Sequence, residues 1–172
     1  FDSRKVVYDD LLTALKYDKN RMIGLYGMGG SGKTTLVKEV GREAEMFFDK
    51  VLFVVVSNTY DVRKIQRQLA DQLSFELKEE GNQERARRLS MRLSGGERFL
   101  IILDDVWEKL DLMDIGIPTA NNQMGCTTLL TTRKSHVCEW MSCQEIIPLE
   151  VLNDDESWVL FQKHAGLFDD LS

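Results

Sequence analysis

The chain has 172 residues, 43% of them hydrophobic and 29% charged, with a formal net charge of −6. A chain of this length buries roughly 70% of the surface that its unfolded form exposes, which supports one packed domain, and its 12 glycines and 2 prolines fit neither a disordered nor a collagen-like protein. The acidic balance weighs against nucleic-acid binding, which draws on clustered Lys and Arg. No apolar run approaches the ~20 residues of a membrane span, and no signal sequence opens the chain.

In chain order, Met22 to Tyr26 is a short apolar run that breaks into a glycine-rich stretch, and Thr34 to Phe47 then carries apolar residues at Leu36, Val37, Val40, Ala44 and Phe47. A buried strand, a loop and an amphipathic helix are predicted there. Val51 to Val56 is unbroken Val, Leu and Phe, as in a parallel strand covered on both faces. The next helix places Val62, Ile65, Leu69 and Leu73 on one stripe.

After the polar stretch from Glu79 to Gln83, a second amphipathic segment carries Ala86, Leu89 and Leu93 and stops at Gly95 and Gly96. Its basic run, Arg85, Arg87, Arg88 and Arg92, reads as a solvated helix face. Phe99 to Leu103, Thr127 to Thr132 and Glu145 to Leu149 are further strands. Asn153 and Glu156 form an N-cap and capping-box pair for a last helix, with Trp158, Phe161 and Ala165 turned inward.

This alternation predicts an α/β fold with a mostly parallel five-stranded sheet and helices on both faces, spanning residues 1–172 as one unit. Pro148 cannot donate to a central ladder, so its strand belongs at an edge. Cys126, Cys138 and Cys143 are odd in number and lack C-x-x-C spacing, as expected of reduced thiols in the cytosol. A start at Phe1 rather than Met and a stop at Ser172 read as a fragment of a longer protein.

The chemistry concentrates in the loop Gly27, Met28, Gly29, Gly30, Ser31, Gly32, followed by Lys33, Thr34 and Thr35. It fits G-x-x-x-x-G-K-[ST] after a strand and before a helix, the setting the mechanism needs. Glycines let such a loop wrap tightly and aim its amides at phosphate oxygens, and the helix adds its positive end. Lys33 is expected on the β- and γ-phosphates, Thr34 on magnesium and Thr35 on the α-phosphate.

Asp104 and Asp105 emerge where open α/β sheets bind ligands, at the C-terminal end of a buried strand. Asp104 is expected to hold magnesium, and Asp105 to orient the attacking water. Arg133, after Thr131 and Thr132, is expected on the same edge, placed to sense a γ-phosphate. Trp107 reads as a packing residue.

Competing readings fit less well. Leu93-Ser94-Gly95-Gly96-Glu97 is close to an ABC transporter signature, but a strand begins at Phe99, leaving no room for the helix that follows that signature. A small-molecule kinase or efficient ATPase would need an acceptor pocket and an arginine-rich lid. A GTPase would need an Asn-Lys-x-Asp run, and an inert interaction module would not keep Lys33, Thr34 and Asp104.

Several segments together resemble the nucleotide-binding (NB-ARC) domain of plant disease-resistance proteins of the coiled-coil, leucine-rich-repeat class. They are Gly24-Leu25-Tyr26-Gly27-Met28-Gly29-Gly30, Leu103-Asp104-Asp105-Val106-Trp107, Ile115-Gly116-Ile117-Pro118, Gly125-Cys126-Thr127 through Arg133, and Leu149 with Glu156, Ser157, Trp158, Leu160 and Phe161. The resemblance spans essentially the whole chain.

It implies sheet order 5-1-4-3-2 and an ATPase that rests with ADP, exchanges it for ATP when a pathogen effector or guarded host protein is sensed, and then self-associates. It also implies that Phe1 to Arg4 borders the adenine, with Arg4 as the contact, and that Arg133 senses the γ-phosphate. The coiled-coil, the rest of the ARC region with its Gly-Leu-Pro-Leu and Met-His-Asp segments, and the repeats would lie outside this sequence. A cytoplasmic location is implied, with any membrane association left to those outside regions.

Overall fold

A computed structural model describes residues 3–119 and 125–150. Helix α1 (Ser3–Lys16) leads into β1 (Met22–Tyr26), α2 (Lys33–Ala44), β2 (Lys50–Val55), α3 (Val62–Gln72) and α4 (Asn82–Leu93). Then follow β3 (Phe99–Val106), the single turn α5 (Leu112–Ile115), β4 (Thr127–Thr132), α6 (Ser135–Trp140) and β5 (Glu145–Pro148). The expected final helix around Asn153 to Ala165 lies outside the described residues.

The strands form one sheet in the order β2-β3-β4-β1-β5, with every pairing parallel. This is the expected 5-1-4-3-2 order of a three-layer P-loop NTPase fold, with Pro148 on an edge strand. Strand alternation divides the core in two. Phe99, Ile101 and Leu103 of β3 face α3, α4 and α6 with Leu69, Leu89 and Val137, whereas Leu100 and Ile102 face α1 and α2 with Leu11, Leu36 and Val40. Among the described residues no helix is long and apolar enough to cross a membrane.

Several expectations are corrected. Helix α2 ends at Ala44, before Phe47. Strand β2 is at the far edge, as the 5-1-4-3-2 order expects, but it is not fully covered on both faces: Val51 and Phe53 are half-buried and Val55 is exposed. Its open backbone is closed by α3. Gln72 accepts from Phe53 N–H at 2.9 Å and donates to Phe53 O at 2.8 Å, and Gln68 does the same for Val55 at 3.0 and 3.1 Å. Four helical residues rise about 6 Å and two strand residues about 6.6 Å, so the two glutamines fall in register with alternate strand residues and blunt the edge.

Arg85 is not on a solvated face. It is 6% exposed, its Nε donates to Gln66 Oε1 at 3.0 Å and its Nη1 to Leu77 O at 3.0 Å. Gln66 in turn donates to Ile115 O at 3.2 Å, so a satisfied polar network joins α3, α4 and α5. The segment around Arg4 is the start of α1, which buries Val7, Leu11, Ala14 and Leu15.

Candidate functional site

The loop between β1 and α2 is shaped by glycine where a side chain would be strained or would crowd its neighbours. Gly30 has φ 80° and Gly32, the N-cap of α2, has φ 87°, both left-handed. At Gly27 a Cβ would collide with the Leu149 carbonyl oxygen, and at Gly29 it would lie 3.1 Å from the Arg133 Cζ. These positions keep the loop close to the ends of β5 and β4.

Lys33 turns back into this loop. Its Nζ donates to Gly27 O at 2.5 Å, Met28 O at 2.9 Å and Ser31 Oγ at 3.3 Å, satisfying each N–H of the ammonium. Burial, then the nearby Arg133 charge, lowers its pKa below the ordinary lysine value. Thr35 is exposed on the first turn of α2.

Asp104 is 4% exposed and fully engaged. Its Oδ2 accepts from Thr34 Oγ1 at 2.8 Å and its Oδ1 from Thr131 Oγ1 at 2.7 Å. The strand runs further than the sequence pattern indicates, to Val106, so both aspartates lie inside β3 rather than beyond it. A register shift between Leu103 and Val106 opens the ladder to β4, and Asp105 takes φ 67° there. Its N–H donates to Thr131 Oγ1 at 2.8 Å. One hydroxyl therefore holds Asp104 by its side chain and Asp105 by its backbone.

Trp107 is more than packing. Its indole N–H donates to Asp105 Oδ1 at 2.8 Å, and the Arg133 guanidinium lies over its ring, 5.0 Å from the centroid. Arg133 thus bridges Trp107 and the backbone of Gly29. The roles of Thr131 and Trp107 were missed in sequence. The signal for Trp107 was its i, i+2 offset from Asp105, which puts both on one side of an extended chain.

Arg4 stands apart from the aspartates. Its Nη1 donates to Gly32 O at 3.5 Å, and its Nη2 lies 3.5 Å from Glu39 of α2. The expected site residues thus gather around one loop, with Arg4 on its α1 side and Arg133 on its β4 side. A hollow of about 570 Å³ opens beside Gly27, lined by Tyr26, Met28, Arg133, His136, Pro148 and Leu149 among others. Larger hollows of about 640 and 850 Å³ lie elsewhere, without the phosphate loop in their lining.

The donors suit a magnesium nucleotide. A Thr hydroxyl and one carboxylate are the hard oxygens that magnesium takes, and the remaining positions usually fall to phosphate and water. No cluster of three or more His, Cys, Asp or Glu that could form a protein cage occurs among the described residues.

The NB-ARC domain family matches residues 4–170. The chain is 38% identical over 158 residues to the disease resistance protein At4g27190 of Arabidopsis thaliana, covering 88% of this chain and 16% of that protein. To RPS5 of the same plant it is 34% identical over 169 residues, covering 95% and 19%. The chain therefore spans less than a fifth of these relatives. Among solved structures, Cdc6p of Pyrobaculum aerophilum superposes with a TM-score of 0.65 at 13% identity, over 94% of this chain and 48% of that one, a likeness of fold alone.

Proposed function

The chain belongs to the NB-ARC domain family, and from that premise we propose that it is the nucleotide switch of a plant innate immune receptor, holding ADP at rest and exchanging it for ATP, with slow hydrolysis at most. The observation that carries this reading is the Thr34–Asp104 hydrogen bond, which ties the phosphate loop to the acidic end of β3.

In this reading Lys33 and the loop amides from Met28 to Thr34 hold the phosphates, Thr35 meets the α-phosphate, and Thr34 with Asp104 hold magnesium. Arg4 borders the base. Asp105 orients the attacking water, with its carboxylate fixed by Trp107 and its backbone by Thr131. Arg133, set between Gly29 and Trp107, reports the γ-phosphate. When bound, magnesium neutralises charge developing on the phosphates. Lys33 has to exchange the Gly27 and Met28 carbonyls for phosphate oxygens, so only the surplus of the new charge-assisted bonds adds to affinity.

Effector or guarded-host recognition and self-association belong in this proposal to regions of the whole protein outside this chain, which acts in the cytoplasm. Mass spectrometry of nucleotide released from the purified full-length protein is expected to recover ADP. Absence of heat on titrating Mg-ADP and Mg-ATP into that protein would overturn the reading, and fast turnover with an added acceptor would point to a kinase instead.

A further inference from the structure

The end of α6 holds chemistry that the nucleotide site does not use. Helix α6 is capped by Met141, and the chain turns through Ser142 at φ 55°. The Ser142 N–H donates to Glu139 O at 3.0 Å, and the Cys143 N–H to Cys138 O at 3.0 Å. This nested pair is a Schellman motif, whose outer bond brings the residues at its two ends into side-chain contact. Here both are cysteines.

The thiols of Cys138 and Cys143 are free. Both bear on the same point of β1: a Cβ at Gly24 would lie 2.5 Å from Cys138 Sγ and 3.0 Å from Cys143 Sγ. The outer backbone bond clamps the two residues together, and the approach of both sulfurs to the one Gly24 position shows that their side chains converge, as a disulfide requires.

We propose that Cys138 and Cys143 form a reversible redox site, a dithiol that a hydroperoxide oxidises to an intramolecular disulfide. The thiolate of the pair attacks one peroxide oxygen; the O–O bond breaks, water or an alcohol leaves, and the attacking sulfur becomes a sulfenic acid. The second sulfur displaces hydroxide from that sulfenic sulfur, and the hydroxide leaves as water with the second thiol's proton. Two electrons pass from the sulfurs to the peroxide, and the S–S bond replaces two S–H bonds.

The hydrogen bond from Cys143 lowers the Cys138 thiol from its ordinary value, while the same contact and burial push Cys143 up. Cys143 is half-buried and gives the pair its access to solvent. Cys126 is the contrast: burial pushes its thiol up to about 12, and its sulfur lies 4.0 Å from the Leu93 carbonyl oxygen. The fold survives oxidation, because the new bond closes a turn that two backbone hydrogen bonds already close.

The test treats the folded protein with hydrogen peroxide, counts thiols after unfolding and maps the peptides. The three thiols fall to one, mapped to Cys126, and dithiothreitol restores all three. In Cys143→Ser the bond is lost and the Cys138 sulfenic acid is trapped by dimedone. Survival of all three thiols, a sulfinic acid at Cys143 with no bond, or a disulfide between chains as the main product overturns the site. Cys138→Ser alters a buried position and can unfold the protein, so the wild-type map and the half-buried Cys143→Ser carry the result.

Discussion

Thr34 of α2 and Asp104 of β3 are joined by a 2.8 Å hydrogen bond, from hydroxyl to carboxylate, although 70 residues separate them in the chain. The bond fixes where the helix behind the phosphate loop meets the sheet. It also puts a hard-oxygen pair on the side of the loop where magnesium is expected.

The first prediction concerns that pair. Asp104→Asn removes the charge and leaves an amide nitrogen that cannot accept from one of the two threonine hydroxyls. Charge-assisted bonds are worth about 1.5–3 kcal/mol, so Mg-ADP affinity is expected to fall on the order of 10- to 100-fold. ADP binding in EDTA is expected to change far less. Calorimetry with and without magnesium makes the comparison, and equal losses in the two conditions would remove Asp104 from the metal site.

Lys33→Ala is expected to weaken nucleotide by about 10- to 100-fold, on the same charge-assisted bond energies. Its pH behaviour is more specific. Burial, then Arg133, lowers the folded-state pKa of Lys33, so protonated Lys33 costs stability below that folded value. The cost fades as pH rises through it toward the unfolded value, and its contribution to stability rises with pH in that alkaline window. A polyphosphate beside the ammonium reverses the shift, so alkaline binding takes up protons. Calorimetry in buffers of different ionisation enthalpy should show this uptake in the wild type and its loss in Lys33→Ala.

Asp105→Ala is expected to spare nucleotide binding and slow hydrolysis, and Trp107 divides the effect further. Trp107→Phe keeps a ring for Arg133 but removes the N–H held by Asp105, so hydrolysis slows with little change in ADP affinity. Trp107→Ala also frees Arg133 and lowers the preference for ATP over ADP. Single-turnover hydrolysis and paired affinity measurements resolve the cases. Impaired ADP binding in Asp105→Ala, or identical behaviour of the two Trp107 variants, would contradict these roles.

The phosphate loop was legible because its chemistry is local: glycines, lysine and hydroxyl must sit at fixed spacing between a strand and a helix, and they do. Pro148 marked its own edge through its missing N–H. The order 5-1-4-3-2 put β2 at the opposite edge, but its unbroken apolar run hid how open one face is, and only Gln68 and Gln72, on a separate element, show what closes its free backbone. Arg85 was misread because its partner Gln66 lies on another helix. Helices α5 and α6 are too short for a period to show. The Cys138–Cys143 contact depends on the left-handed Ser142, which has no glycine to announce it.

Gly116 shows how part of the Ile115-Gly116-Ile117-Pro118 motif acts through packing. It caps α5 at φ 110°, and a Cβ there would lie 2.5 Å from Ala86 O and 2.9 Å from Ala86 Cα, backbone atoms of α4 that cannot step aside. Gly116→Ala adds overpacking to left-handed strain, and together these are expected to cost about 2–5 kcal/mol. Gly96 is the matched control, since it has φ 103° but nothing within 4 Å of a Cβ. Gly96→Ala carries the strain alone, about 1–2 kcal/mol. Urea unfolding should therefore show a much lower midpoint for Gly116→Ala, at unchanged m-value, than for Gly96→Ala. Equal midpoints would mean that backbone conformation, not the close approach of α4, requires glycine at position 116.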